Sequence, residues 1–370
     1  MLPTPLPGTP LSELDTPALL IDLDLMESNI AALFTEAAAA GVSVRPHLKT
    51  GKTPVLAHRL LGAGAHGICV SKLGEAEIMV AAGVEDVLIT TELAGTAKQA
   101  RLMALLRRHP LVKVVVDSVE GAEAHSAAAV EWGVTLPVLV EINVGQDRSG
   151  VSPGPPAVAL AEHIAGLPAL RFMGVQGYEG HLQHLHDAEE RARRCAQAMA
   201  QLTGTVAAMR TRGLDPEIVT TGGTGTWQFC AGYRDAGVTE VQPGSFIFMD
   251  ADYRHAIGTR YTSALSVLAT VISRPAPTRA VVDAGLKSLS TDSGNSVPKN
   301  LVGVSYRPGG DEHGILTWEE GTDPGLKIGD KVDFVPSHCD TTINLFDNYL
   351  ALRSGRLEAI WSIDCRGRSQ

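Results

Sequence analysis

The sequence predicts an α/β protein, a (β/α)8 barrel of the TIM type followed by a mainly-β domain. Three observations carry this. Short β-branched runs alternate with Ala/Leu/Glu-rich amphipathic stretches from Thr16 to about Tyr253, the pattern of βα units around a parallel sheet. Helical periodicity fades beyond Tyr253, where strand-like runs are broken by turns such as Arg307-Pro-Gly-Gly-Asp-Glu and Gly321-Thr-Asp-Pro-Gly. Finally, 370 residues exceed one ordinary compact domain.

Taken in order, the alternating part offers strands at Ala18 to Asp22, Ser43 to His47, Gly67 to Ser71, Asp86 to Thr90, Lys113 to Asp117, Pro137 to Asn143, Arg171 to Tyr178, Glu217 to Thr221 and Thr239 to Gln242. That is one more than a closed barrel takes. The first is therefore assigned as a lead-in, and the barrel's own first strand is the one ending near Lys49. Periodicity alone leaves an open doubly wound sheet as the alternative. The later runs are Ala264 to Ile272, Arg279 to Asp283, Lys331 to Val335 and Ala359 to Ser362. The resulting division is a barrel over 14–255 and a β domain over 256–370, with the Pro-rich residues 1–13 packing on the latter.

Composition narrows the function. The formal charge is −10, and no Lys/Arg run exceeds the Arg191 to Arg194 cluster, which argues against nucleic acid or an anionic membrane as partner. No uncharged apolar run approaches ~20 residues, and the N-terminus lacks a basic start and an apolar core, so a soluble, unexported protein is expected. Five cysteines (69, 195, 230, 339 and 365) form an odd set without CxxC spacing, which suits a reducing cytoplasm.

Candidate chemistry collects where strands end. In Arg45-Pro-His-Leu-Lys49-Thr, Lys49 follows a β-rich run and precedes a helix-like segment. An amine partly desolvated there can form a Schiff base. The turn Thr220-Thr-Gly-Gly-Thr-Gly-Thr226 follows the seventh barrel strand, and Gln242-Pro-Gly-Ser245 follows the eighth, where such barrels often bind phosphate. Backbone at Gly223, Thr224 and Gly225 could face that anion. Lysine and phosphate pocket together suggest pyridoxal phosphate.

In Glu141-Ile-Asn-Val-Gly-Gln-Asp-Arg148, strand alternation puts Glu141 and Asn143 on one face. Arg148 either reaches the cofactor or a substrate carboxylate, or forms a structural ion pair with Glu141. The segment Val175-Gln-Gly-Tyr-Glu-Gly-His-Leu-Gln-His184 offers Tyr178 to the cofactor ring and His184 as a general base, with His186 close behind. Outside the barrel, His338-Cys339-Asp340 follows a strand-like run. In extended chain His338 and Asp340 face one side, able to grip a divalent ion, while Cys339 turns inward.

These motifs, with Glu75-Ala-Glu77, Gln242-Pro-Gly-Ser-Phe-Ile-Phe-Met-Asp250, Asp283-Ala-Gly-Leu-Lys287 and Asp311-Glu-His-Gly314, occur together over about residues 14–368. Together they resemble the D-threonine aldolase and D-serine dehydratase group of fold type III, alanine-racemase-like, pyridoxal phosphate enzymes. The resemblance implies that Lys49 carries the cofactor, that Gly223, Thr224, Gly244 and Ser245 hold its phosphate, and that Tyr178 meets its ring. It further implies that His338 and Asp340 bind the metal, that His184 is the active-site histidine, and that the enzyme is a homodimer whose C-terminal domain completes the partner's active site. Dehydratase relatives tend to carry Cys at the second metal position and aldolase relatives Asp. Asp340 thus favours Mn²⁺ or Mg²⁺ over Zn²⁺, and aldol cleavage of a D-β-hydroxy-α-amino acid over elimination. D-serine or D-3-hydroxyaspartate dehydration, and a non-catalytic pyridoxal phosphate carrier, are the alternatives.

Overall fold

The first strand, β1 (Ala18–Asp22), does not lead into the barrel in the computed structural model, which describes residues 5–370. It pairs antiparallel with Leu265–Leu268 and parallel with Leu350–Leu352, far along the chain. All but one of its residues are buried, and an Ala-Leu-Leu-Ile-Asp run without polar alternation suits a strand covered on both faces.

Eight parallel strands follow: β2 (Ser43–Val44), β3 (Ile68–Val70), β4 (Val87–Ile89), β5 (Lys113–Val116), β6 (Leu136–Glu141), β7 (Leu170–Gly177), β8 (Ile218–Thr221) and β9 (Glu240–Val241). They pair in the order β2-β9-β8-β7-β6-β5-β4-β3. A bridge between His47 and Cys69 joins the two ends, with Cys69 N donating to Pro46 O (2.9 Å) and Leu48 N to Cys69 O (2.8 Å). An open doubly wound sheet would leave two free edges, so this closure selects the barrel. β2 is shorter than the run from Ser43 to His47 because Pro46 has no N–H to give the ladder. In β7 the register slips beside Gly174, whose φ is +148°. A Cβ there would stand 1.8 Å from Ile218 O, so only glycine lets β7 approach β8.

The barrel interior is layered. At the N-terminal ends of β4, β5 and β9 the Arg45 side chain binds Asp86 and Glu240, and Lys113 binds Asp86 at 2.8 Å. Burial opposes the charge on Asp86, yet the two cations hold its carboxyl below its usual range. Arg45, the first residue of the Lys49 motif, is thus structural. Above it Cys69, Leu88, Val115, Leu139, Met173 and Ile218 form an apolar layer. Polar groups return at the C-terminal end of the strands.

The second unit is a mainly-β sheet built from β1 with β10 (Leu265–Ala276), β11 (Arg279–Val282), β12 (Val297–Pro298), β13 (Ser305–Pro308), β14 (Gly314–Thr317), β15 (Lys331–Val335), β16 (Asn348–Arg353) and β17 (Arg356–Ser362). Leu14, Ala18, Leu20, Leu268, Leu352 and Leu357 form a core within it. By contacts this unit comprises residues 5–31 with Ser245–Arg366, and the barrel unit Ala32–Gly244 with Gly367–Gln370. These limits differ from a single cut at 255/256, because β1 finds its hydrogen-bond partners among later strands. Of the segment 1–13, Gly8 and Thr9 bond to Leu357, and Pro10 bridges Arg356; residues 1–4 lie outside the described residues. No described helix is long and apolar enough to cross a membrane, and all five cysteines are free and buried.

Candidate active site and metal pair

Lys49 lies past β2, half-buried, on a segment held from below. Its backbone N–H donates to His47 Nδ1 (3.3 Å), and His47 Nε2 meets Thr90 Oγ1 (3.0 Å). The next lysine is already committed: Lys52 Nζ lies 2.7 Å from Glu75 Oε1, while Glu75 Oε2 accepts from Ser71 and Lys72 N–H groups as the cap of the helix Leu73–Ala81. The Glu75-Ala-Glu77 motif is therefore architectural, since Glu77 in turn pairs with Arg101.

The glycine-rich turn after β8 is organised by a residue that sequence reasoning passed over. Glu179, fully buried, accepts from Thr221 Oγ1 (2.9 Å), Gly222 N (3.3 Å), Gln183 Nε2 (3.2 Å) and the Thr226 hydroxyl. The backbone N–H of Gly223 donates to Thr226 Oγ1 (3.1 Å), and that of Gly225 to Gln183 Oε1 (2.9 Å). Those two amides, expected to face an anion, instead shape the loop that carries Thr224. Glu179 sits inside the quoted Tyr-Glu-Gly-His run, and its signal was only a carboxylate beside a glycine turn. Gly244 packs on the Lys49 segment: a Cβ there would stand 2.7 Å from His47 O and 3.3 Å from Thr50 Oγ1. The lysine segment and the turn after β9 are thus brought together on the barrel's C-terminal end, with Ser245 next in the chain.

The Glu141 alternatives resolve. Its Oε2 accepts from Gln176 Nε2 (2.6 Å), Gln176 Oε1 accepts from Gln242 Nε2 (2.9 Å), and Gln242 also donates to Thr220 Oγ1 (2.8 Å). Burial, with Glu92 nearby, pushes the Glu141 carboxyl up to about 8. Arg148 instead lies over the Tyr178 ring, 5.7 Å from its centroid, a cation–π arrangement. The Asn143 side chain folds its own loop, its Oδ1 accepting from the Gly145 and Asp147 N–H groups. His184 and His186 are exposed. His181 is the packed histidine of the three, its ring against Gly145 and its pKa lowered by burial and then by Arg194.

In the β unit, His338 is extended (φ −141°, ψ 124°), but the chain turns helical at Cys339–Ile343. The extended alternation expected through Asp340 is therefore cut short, and the pair meets across a helix start. His338 Nε2 lies 3.5 Å from Asp340 Oδ2. Two donors each about 2.1 Å from one ion stand roughly 3.0–3.4 Å apart at octahedral to tetrahedral angles, so this pair fits a shared cation. Cys339 is fully buried, and its N–H donates to Asp250 Oδ2 (2.9 Å), while Asp250 Oδ1 accepts from Tyr253 N (2.8 Å). Burial pushes Asp250 up to about 6 despite those two bonds. Burial also opposes charge on His338, but Asp340 and Asp292 outweigh it and push the imidazole up to about 9. Among the described residues no group of three or more His, Cys, Asp or Glu side chains is placed to hold a metal. The Asp283-Ala-Gly-Leu-Lys287 and Asp311-Glu-His-Gly314 motifs serve each other: Leu286 and Lys287 N–H groups bond to the Gly310 and Asp311 carbonyls.

Comparison with known proteins agrees with this architecture. Residues 21–252 match the alanine racemase N-terminal domain, and residues 264–352 a putative serine dehydratase domain. The chain is 41% identical to a D-threonine aldolase of an Arthrobacter species, over 100% of this chain and 97% of the relative. It is 40% identical to a 3-hydroxy-D-aspartate aldolase of Paracoccus denitrificans, over 98% and 95%. The crystal structure of D-threonine aldolase from Filomicrobium marinum superposes with TM-score 0.94 at 42% identity, covering 98% and 99% of the two chains. That of D-threo-3-hydroxyaspartate dehydratase from a Delftia species gives 0.86 at 32%, covering 96% and 98%. The closed barrel, the mainly-β unit and full-length similarity at this level mean that the chain belongs to the alanine racemase-like family of D-threonine aldolases and D-serine dehydratases.

Proposed function

We propose that this chain is a D-threonine aldolase-type lyase that cleaves D-β-hydroxy-α-amino acids between Cα and Cβ, giving glycine and an aldehyde. The observation that carries this reading is its similarity, over the whole chain, to proteins named as aldolases. Pyridoxal phosphate, when bound, supplies the sink for the electron pair left by the broken bond. Lys49 would hold it as a Schiff base, since Lys52 is spent on Glu75. Thr224, Gly223 and Gly225, with Gly244 and Ser245, would hold the phosphate, the glycine amides acting through the loop shape they fix. Tyr178 and Arg148 would line the ring.

His338 and Asp340 would hold a divalent ion, which supplies Lewis-acid polarisation of the β-hydroxyl. One imidazole and one carboxylate leave most coordination positions to water and substrate oxygen, which favours Mn²⁺ or Mg²⁺ over Zn²⁺. His184 takes the hydroxyl proton. As the carbonyl forms at Cβ, the Cα–Cβ bond breaks, and Cα takes up a proton to become glycine. A cytoplasmic homodimer is part of the same proposal.

The match of residues 264–352 to a putative serine dehydratase domain favours one second reading, elimination of the β-hydroxyl. There Lys49 removes the Cα proton, hydroxide departs, and hydrolysis of the released enamine by water gives a keto acid and ammonia. Incubating the purified protein with D-threonine, pyridoxal phosphate and Mn²⁺ separates the two. Glycine and acetaldehyde are expected, with turnover lost on chelation and with Lys49→Ala; 2-oxobutyrate and ammonia would overturn the aldolase reading.

A further inference from the structure

His338 has two ring nitrogens, and the structure uses them differently. Nε2 faces Asp340, whereas Nδ1 lies 2.6 Å from Asp292 Oδ2. Asp292 belongs to a loop outside any strand or helix, and its side chain is 43% exposed, so no packing demand fixes it. It is nevertheless held from three sides. Its Oδ1 accepts from Ser290 Oγ and Thr341 Oγ1, both at 2.7 Å, while Ser337 Oγ donates to Ser290 O (3.0 Å) and Ser290 N to Thr342 Oγ1 (3.3 Å). Residues 290–292 are thereby stitched to the turn that carries His338 and Asp340.

A carboxylate on Nδ1 keeps a proton on that nitrogen, so a cation that displaces the other ring proton meets the lone pair of Nε2, and it locks the ring's rotation. The lone pairs of the two ring nitrogens diverge, so a carboxylate on Nδ1 does not share an ion with Nε2. We propose that Asp292 is a positioning residue for the divalent-cation pair, fixing the tautomer and orientation of His338 so that Nε2 and Asp340 point at one ion. This rests on the metal reading above. No motif in the sequence announces it, since Asp292 and His338 are 46 residues apart.

Mn²⁺ titration of the full-length protein, with free Mn²⁺ read by electron paramagnetic resonance, tests the role without any turnover. Asp292→Ala is expected to weaken Mn²⁺ binding roughly 10–100-fold. Asp292→Asn should recover most of that loss, because the amide oxygen still accepts from Nδ1–H. His338→Ala should lose stoichiometric binding altogether, and near-UV circular dichroism in chelator should match wild type for all three. If Asp292→Ala binds Mn²⁺ like wild type, or loses it as completely as His338→Ala, the positioning role is wrong. If the Asn variant behaves like the Ala variant, it is wrong too. If wild type and His338→Ala take up Mn²⁺ alike, the metal reading itself fails, and the role of Asp292 falls with it.

Discussion

A carboxyl sealed inside a barrel is costly once ionised, and Glu141 is only 3% exposed. With its pKa near 8 in the folded chain and near 4.5 when unfolded, the native state binds the proton more tightly. Stability from this residue is therefore full below about pH 4.5 and is lost as pH rises through 8, at most roughly 5 kcal/mol. Glu141→Gln keeps an acceptor for Gln176 and removes the charge. Its urea midpoint should equal that of wild type near pH 4, exceed it increasingly as pH rises towards 8, and hold that lead above 8; parallel profiles would show that Glu141 is not the group titrating. Lys49 was legible as a residue because it stands at a strand end in a distinctive run. Glu141's partner was not, because Gln176 and Gln242 come from other strands and meet it only through the register in which β6 pairs with β7.

Among elements, the turn after β8 depends on Glu179, which collects donors from Thr221, Gly222, Thr226 and Gln183. Glu179→Gln replaces one acceptor oxygen by a donor and leaves buried donors short of partners, at about 1–3 kcal/mol each. Pyridoxal phosphate should then bind at least about tenfold more weakly by absorbance titration, and amide exchange over 220–226 should quicken; unchanged affinity would remove Glu179 from the loop's support. Several barrel strands were readable because they are short, largely apolar runs buried along their length, as with β3, β4 and the Val-rich β5. β13 and β14 were not. Ser305–Pro308 buries only Tyr306 and runs into the turn at Pro308-Gly-Gly, so its polarity reads as loop until β14 pairs with it. The helix start at Cys339 was hidden similarly, by a five-residue helix too short to show a period.

At the scale of the whole molecule, the mainly-β unit is discontinuous in sequence, since β1 lies between β10 and β16. A fragment of residues 256–370 lacks that central strand and should not give a cooperative melt. The same fragment with residues 5–31 joined ahead of it should do better in solubility and melting; equal behaviour would show β1 to be dispensable. β1 could be found from its apolar run but not placed, because its neighbours are set by residues more than 240 positions later. That separation bears on biosynthesis. At 5–20 residues per second, roughly 12–50 s pass between the emergence of Ala18–Asp22 from the ribosome and that of Leu265, the first residue able to pair with it. Throughout that interval a nascent Ala-Leu-Leu-Ile segment is unpaired and sticky, so cellular yield should depend on chaperone supply and translation speed more than the finished molecule's stability suggests.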